Sequence, residues 1–82
     1  MIESESFVRV RMQLRDTLAG RVRELRISLK MTQRDLAEDA GIRQALISKI
    51  ERGEANPTLD SILRIATALE VSFAELFESR RL

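Results

Sequence analysis

The chain has 82 residues and neither cysteine nor histidine, which leaves room for one small domain and removes disulfides, thiolate nucleophiles, ordinary zinc sites and histidine-assisted triads. Fourteen basic and 13 acidic side chains nearly cancel to a formal net charge of +1, so attraction to a polyanion must come from a local patch. No apolar run approaches the roughly twenty residues that span a bilayer, and MIESES lacks the basic start and apolar stretch of a signal peptide.

These bounds point to a soluble, cytoplasmic, non-enzymatic domain with no metal, no cofactor, no membrane association and no small-molecule ligand. The charge is unevenly spread: residues 1–30 hold seven Lys/Arg against four Asp/Glu, and the rest of the chain is slightly acidic. The expected basic patch comprises Arg21, Arg23, Arg43, Lys49, Arg52 and the N-terminal arginines.

Residues 7–15 read FVRVRMQLR. Val8, Val10, Met12 and Leu14 alternate with Arg9, Arg11, Gln13 and Arg15, which favours a half-buried strand-like arm. Phe7, Val10, Leu14 and Leu18 also fit helical spacing, in phase with Val22, Leu25 and Leu29, so a helical extension is the competing reading. A lone strand would need a partner edge, most simply that of a second copy.

Leu18, Val22, Leu25 and Leu29 predict an amphipathic helix over Thr17–Lys30, with Asp16 as its N-cap. Thr32 and Asp35 form a capping box for a second helix, Met31 is placed to staple against Leu36, and Leu36, Ala37 and Ala40 face inward. Gly41 supplies the left-handed closure. A third helix starts at Arg43 or Gln44 without a good capping residue and ends at Arg52-Gly53, before a loop through Asn56-Pro57. Thr58 caps a fourth helix, in which Leu59, Ile62, Leu63, Ile65, Ala66 and Leu69 exceed one apolar stripe and predict the most buried element. Ser72 and Glu75 open a short fifth helix ending near Ser79, with Val71 stapling Leu76.

The third helix has two unlike sides. At about 100° per residue, Leu46, Ile47 and Ile50 share one arc, and Gln44, Ala45, Ser48, Lys49 and Arg52 the other. An amide, a hydroxyl, two cations and a methyl are the groups that read base edges in a major groove.

The order T-Q-x-x-L-A, A-G-I, I-S-K-I-E-R-G, N-P-T-L, A-x-x-L and S-x-x-E-L-F resembles the phage-repressor and Cro-type helix-turn-helix domains, often called the XRE family, over residues 17–78. The resemblance implies an all-α, five-helix, lambda-repressor-like DNA-binding domain at 17–79, with its motif at about 32–52, an N-terminal arm at 1–16 and a tail at 80–82. It further implies base contacts from Arg43, Gln44, Ala45 and Lys49 of the recognition helix. Backbone contacts fall to Gln33, Thr32, Ser48, Arg52, Asn56 and Thr58, and Arg26 and Glu51 match a partly buried ion pair. Two departures stand out: Arg43 replaces the usual capping Ser or Thr, and residues 1–16 lie outside the motif.

The partner expected is double-stranded DNA, bound by a homodimer, because one recognition helix covers too few base pairs for specificity. Two copies would meet half-sites about one helical turn, roughly 34 Å, apart on a pseudo-palindrome. Phe73, Leu76 and Phe77, joined by Leu69 and Leu82, are the expected dimer surface, with the N-terminal arm as a second contributor. The alternative is a protein-interaction module or antitoxin reusing the same fold. Restriction-modification controller, prophage repressor and autoregulator are the settings left open.

Overall fold

The computed structural model describes residues 3–78, and its first element is set by one apolar stripe. Phe7, Val10, Leu14, Leu18, Val22 and Leu25 recur every three or four residues, and the backbone follows them as helix α1, Glu5–Ser28. Ser4 caps it, its hydroxyl accepting the Phe7 N–H at 3.0 Å.

The strand-like reading of residues 7–15 is therefore corrected: the segment is helical and runs without a break through residues 16 and 17. Asp16 lies inside the helix rather than capping it. The alternation was real but uninformative, since a helix satisfies its own backbone groups and a lone strand cannot. Among the described residues there is no strand.

Thr32 and Asp35 form the predicted capping box at the start of α2, Gln33–Ala40, with reciprocal bonds of 3.0 and 2.9 Å. Gly41 closes α2 at φ 69°, in the left-handed region. Helix α3 spans Gln44–Glu51 and starts at Arg43, whose side chain makes no capping bond. Helix α4 spans Leu59–Ala68, where the Thr58 hydroxyl accepts the Ser61 N–H at 3.1 Å.

Ser72 and Glu75 also bond reciprocally, at 2.9 and 3.3 Å, yet they open only a 3₁₀ turn, Ala74–Phe77. The described residues thus form four α-helices and a 3₁₀ turn, rather than five helices. The expected end near Ser79 lies outside them.

Helix α1 packs on α3 and on the 3₁₀ turn, and α2 packs on α3 and α4. Val22, Leu36, Ile47, Ile50, Ile65 and Leu76 are fully buried where these elements meet, each contributing about 1.5–3 kcal/mol. Helix α4 is less enclosed than its composition suggested. Ile62, Ile65 and Ala66 face the core, but Leu59 and Leu63 are 69% and 51% exposed, because they fall at the edge of the inward stripe.

Two further expectations change. Arg21 is buried rather than part of a basic patch: it donates to the Glu75 carbonyl at 3.0 Å and pairs with Glu24, tying α1 to the 3₁₀ turn. Leu69 and Leu76 are buried in the protomer's own core, which leaves half-buried Phe73 and Phe77, their rings 5.5 Å apart, for any outer contact. Leu82 lies outside the described residues.

The first turns of α1 overhang the body. Phe7, Val10 and Leu14 are each about half exposed, on the stripe that buries Leu18 and Val22 further along. Beneath them runs an open groove of about 590 Å³, floored by Ala55, Pro57, Ile62 and Phe77.

Candidate nucleic-acid interface

Helices α2 and α3 meet at the tight turn that Gly41 makes possible. A Cβ there would sit 3.2 Å from an Arg64 guanidinium nitrogen, in a backbone conformation that side chains disfavour. The turn sets α3 across α2 with Ile47 and Ile50 inward, and leaves Arg43, Gln44, Ala45 and Lys49 exposed together on the outer side. None of these four has a side-chain hydrogen bond or ion pair among the described residues, so their donors and the Ala45 methyl are free to meet a ligand.

The remaining residues expected at a DNA backbone divide by what already engages them. Arg52 donates to the half-buried Ser48 hydroxyl and to Glu54 at 3.2 Å, so its charge is partly compensated. The Thr32 and Thr58 hydroxyl oxygens are committed as caps. Asn56 is exposed, and its Oδ1 accepts from Arg15 Nε at 3.0 Å.

A buried charge cluster fixes the base of α3. Arg26 Nε and Nη2 donate to Glu51 Oε2 and Oε1 at 2.7 and 3.0 Å, and Arg26 Nη1 donates to the Met31 carbonyl at 2.8 Å. Gln33 Nε2 adds a bond of 3.1 Å to Glu51 Oε1, and the more exposed Arg23 lies 3.6 Å from the same oxygen. The Glu51 side chain is 1% exposed and that of Arg26 13%.

Burial pushes the Glu51 carboxyl up, but hydrogen bonds from Arg26 and Gln33, reinforced by the Arg26 and Arg23 charges, outweigh it and hold the group below the usual carboxylate range. The bond to Glu51 in turn raises Arg26. One carboxylate thereby ties the C-terminal end of α3 to α1 and to the first turn of α2. Gln33 is half-buried by this arrangement; one amide N–H is on Glu51, and its second N–H has no partner among the described residues.

Sequence reasoning placed Arg21 and Arg23 in a basic patch and gave Arg15, one of the N-terminal arginines, no partner of its own. Arg15, Arg23 and Arg21 all lie on α1, and only the first two reach the α3 side. A helical reading of residues 5–28 would have put Arg15 in line with Ala19, Val22 and Arg26. Among the described residues no group of His, Cys, Asp or Glu could hold a metal ion, and no helix is long and apolar enough to cross a membrane.

The sequence pattern of the helix-turn-helix family matches residues 22–76. The control protein C.SmaI of Serratia marcescens is 35% identical over 65 residues, covering 79% of this chain and 77% of that protein. The cryptic phage CTXphi transcriptional repressor RstR of Vibrio cholerae is also 35% identical over 65 residues, covering 79% of this chain and 54% of the repressor; the chain thus spans about half of that relative. Among solved structures, the restriction-modification controller protein C.AhdI from Aeromonas hydrophila is similar with a TM-score of 0.74 at 36% identity, over 77% of this chain and 96% of its own.

Proposed function

This chain belongs to the helix-turn-helix family, and within it we propose a sequence-specific transcriptional regulator that binds a pseudo-palindromic operator as a homodimer, with α3 in the major groove. The observation that carries this reading is the outer face of α3, where Arg43, Gln44, Ala45 and Lys49 are exposed and unused by packing. Gln44 has the amide that pairs with adenine, Arg43 and Lys49 the donors that reach guanine, and Ala45 the methyl that meets thymine. Gln33, at the capped start of α2, and Asn56, after α3, supply donors for phosphates on either side.

An eight-residue recognition helix reads too few base pairs alone, which is the physical reason for a second copy. With Leu69 and Leu76 used inside the protomer, the pairing surface in this reading is Phe73 and Phe77 with the α1 overhang. Phe77 borders the groove under Phe7, Val10 and Leu14, so the two apolar areas are continuous.

Selection of bound duplexes from random DNA tests operator, symmetry and spacing together. The expected product is two dyad-related half-sites about 34 Å apart; no enrichment, or a single asymmetric half-site, would refute the proposal. Gln44→Ala is expected to cost about 1–3 kcal/mol on the selected site and to relax preference at one base pair.

A second reading, a protein-interaction module such as an antitoxin, is favoured by the exposed Phe7, Val10 and Leu14 stripe. It predicts one stoichiometric protein partner in a pulldown and no retardation of the DNA upstream of its own gene.

A further inference from the structure

We propose that Arg15 and Asn56 together form a phosphate-binding site for the DNA backbone, so that the first half of α1, which precedes the family match at residue 22, takes part in binding. The proposal rests on the DNA-binding reading above and adds to it a residue outside the helix-turn-helix pattern.

The chemistry of the pair selects its ligand. Arginine can only donate, so the amide atom that faces Arg15 Nε at 3.0 Å is the Asn56 oxygen. The Asn56 NH₂ group, on an exposed side chain, is then left without a partner among the described residues. Arg15 itself pairs with no carboxylate among the described residues, unlike Arg11 with Glu3, Arg21 with Glu24 and Arg52 with Glu54. What the pair offers is one uncompensated positive charge and several free N–H donors, with its acceptor already used. A phosphodiester oxygen, anionic and acceptor-only, complements that set.

The position is also suitable. Asn56 lies in the loop directly after α3, and α1 runs against this loop: a Cβ on Gly53 would sit 3.2 Å from Asp16 Oδ1. Arg15 thus holds the Asn56 amide and places its own guanidinium beside it, both residues lining the groove under the α1 overhang.

The test uses the full chain, a selected operator and a random duplex of equal length, with affinity followed against sodium chloride concentration. Each phosphate contact contributes about 0.9 to the slope of log K against log salt. Arg15→Gln is therefore expected to flatten the slope by about 0.9 per protomer and to weaken binding about eightfold per protomer at 0.1 M salt, alike on operator and random DNA. Arg64→Gln, whose charge Asp60 already offsets at 2.9 Å, is expected to leave the slope unchanged.

Asn56→Asp separates a phosphate site from a merely structural clasp. The new carboxylate keeps or strengthens the bond to Arg15 while repelling a phosphate, so the proposal predicts weaker binding on every duplex, whereas a clasp predicts none lost. Circular dichroism and sedimentation check that each variant keeps its fold and assembly state. An unchanged slope in Arg15→Gln, or wild-type affinity in Asn56→Asp, would overturn this site while leaving the regulator intact. Failure of the wild-type chain to bind any duplex would overturn both.

Discussion

Removing Arg26 should cost the protein a third or more of its stability. Arg26→Ala deletes two hydrogen bonds to Glu51 and one to the Met31 carbonyl, leaving a carboxylate that is 1% exposed. Breaking one side of a buried pair costs about 3–5 kcal/mol. Gln33 remains bonded and exposed Arg23, 3.6 Å away, can move closer, which puts the ionic part near 3 kcal/mol by that estimate. The orphaned Met31 carbonyl adds about 1 kcal/mol. A chain of 82 residues has roughly 4–12 kcal/mol of total stability, so the variant should lose a third or more of it. With neither tryptophan nor tyrosine in the chain, urea unfolding is best followed by far-ultraviolet circular dichroism. At a urea slope of about 1 kcal/mol per molar, the midpoint falls by about 3–4 M.

The partner variant decides whether stranded charge is the cause. Arg26→Met with Glu51→Leu removes both ions and fills the space, and such replacements of buried pairs are neutral to stabilising. The double variant should regain about half of the lost stability, because the Met31 carbonyl stays orphaned and the Gln33 amide loses its acceptor, at about 1 kcal/mol each. A loss under 1 kcal/mol in the single variant, or a double variant as unstable as the single one, would refute the reasoning.

Three other outcomes are expected. Hydrogen bonds from the Thr32 backbone and hydroxyl hold Asp35 below the usual carboxylate range, those from Ser72 do the same for Glu75, and Glu51 is lowered as described. In the unfolded chain these carboxyls take up protons first, near pH 4, so stability should be fully present above about pH 5 and fall as pH drops through and below 4; with no histidine, a melting temperature that steps between pH 6 and 7 would contradict this. Lys30 and Glu70 adopt φ of 58° and 62° at the ends of α1 and α4, and Lys30→Gly or Glu70→Gly should each stabilise by about 1 kcal/mol, checked by denaturant midpoint. Gly41→Ala, which combines the left-handed backbone with a 3.2 Å contact to Arg64, should destabilise by about 1–2 kcal/mol in the same measurement.

The parts of the fold legible in the sequence are those governed by short spacings. Both capping boxes, Thr32 with Asp35 and Ser72 with Glu75, link residues three apart, and Gly41 announces its own backbone conformation. The inward residues of α2 and α3 follow from periodicity alone. Residues 7–15 were ambiguous because Val10 and Leu14 fit both periods, and what settles them is continuity with Leu18 and Val22 rather than anything local. The second capping box signalled a start but not a length, since a cap says nothing of how many turns follow. Burial of Leu69 and Leu76 depends on where distant elements return. So does the bond from Arg21 to Glu75, 54 residues away, and no spacing rule reaches that far.

Helix α1 shows why such long-range contacts bear on the functional surface. Arg15 and Arg26 stand eleven residues apart on one line of it, which at 1.5 Å per residue is about 16.5 Å. Arg26 grips Glu51 at the end of α3, and Arg15 grips Asn56 five residues further along the chain. The C-terminal end of α3 and the loop that follows it are therefore both braced against one rigid rod. An unbraced α3 would rest on Ile47, Ile50 and the Gly41 turn, contacts that resist displacement but only weakly resist rotation about the helix axis. Two off-axis arginines on a single helix supply that resistance, and a rotation of α3 is the motion that would re-aim its exposed Gln44 and Lys49 side chains.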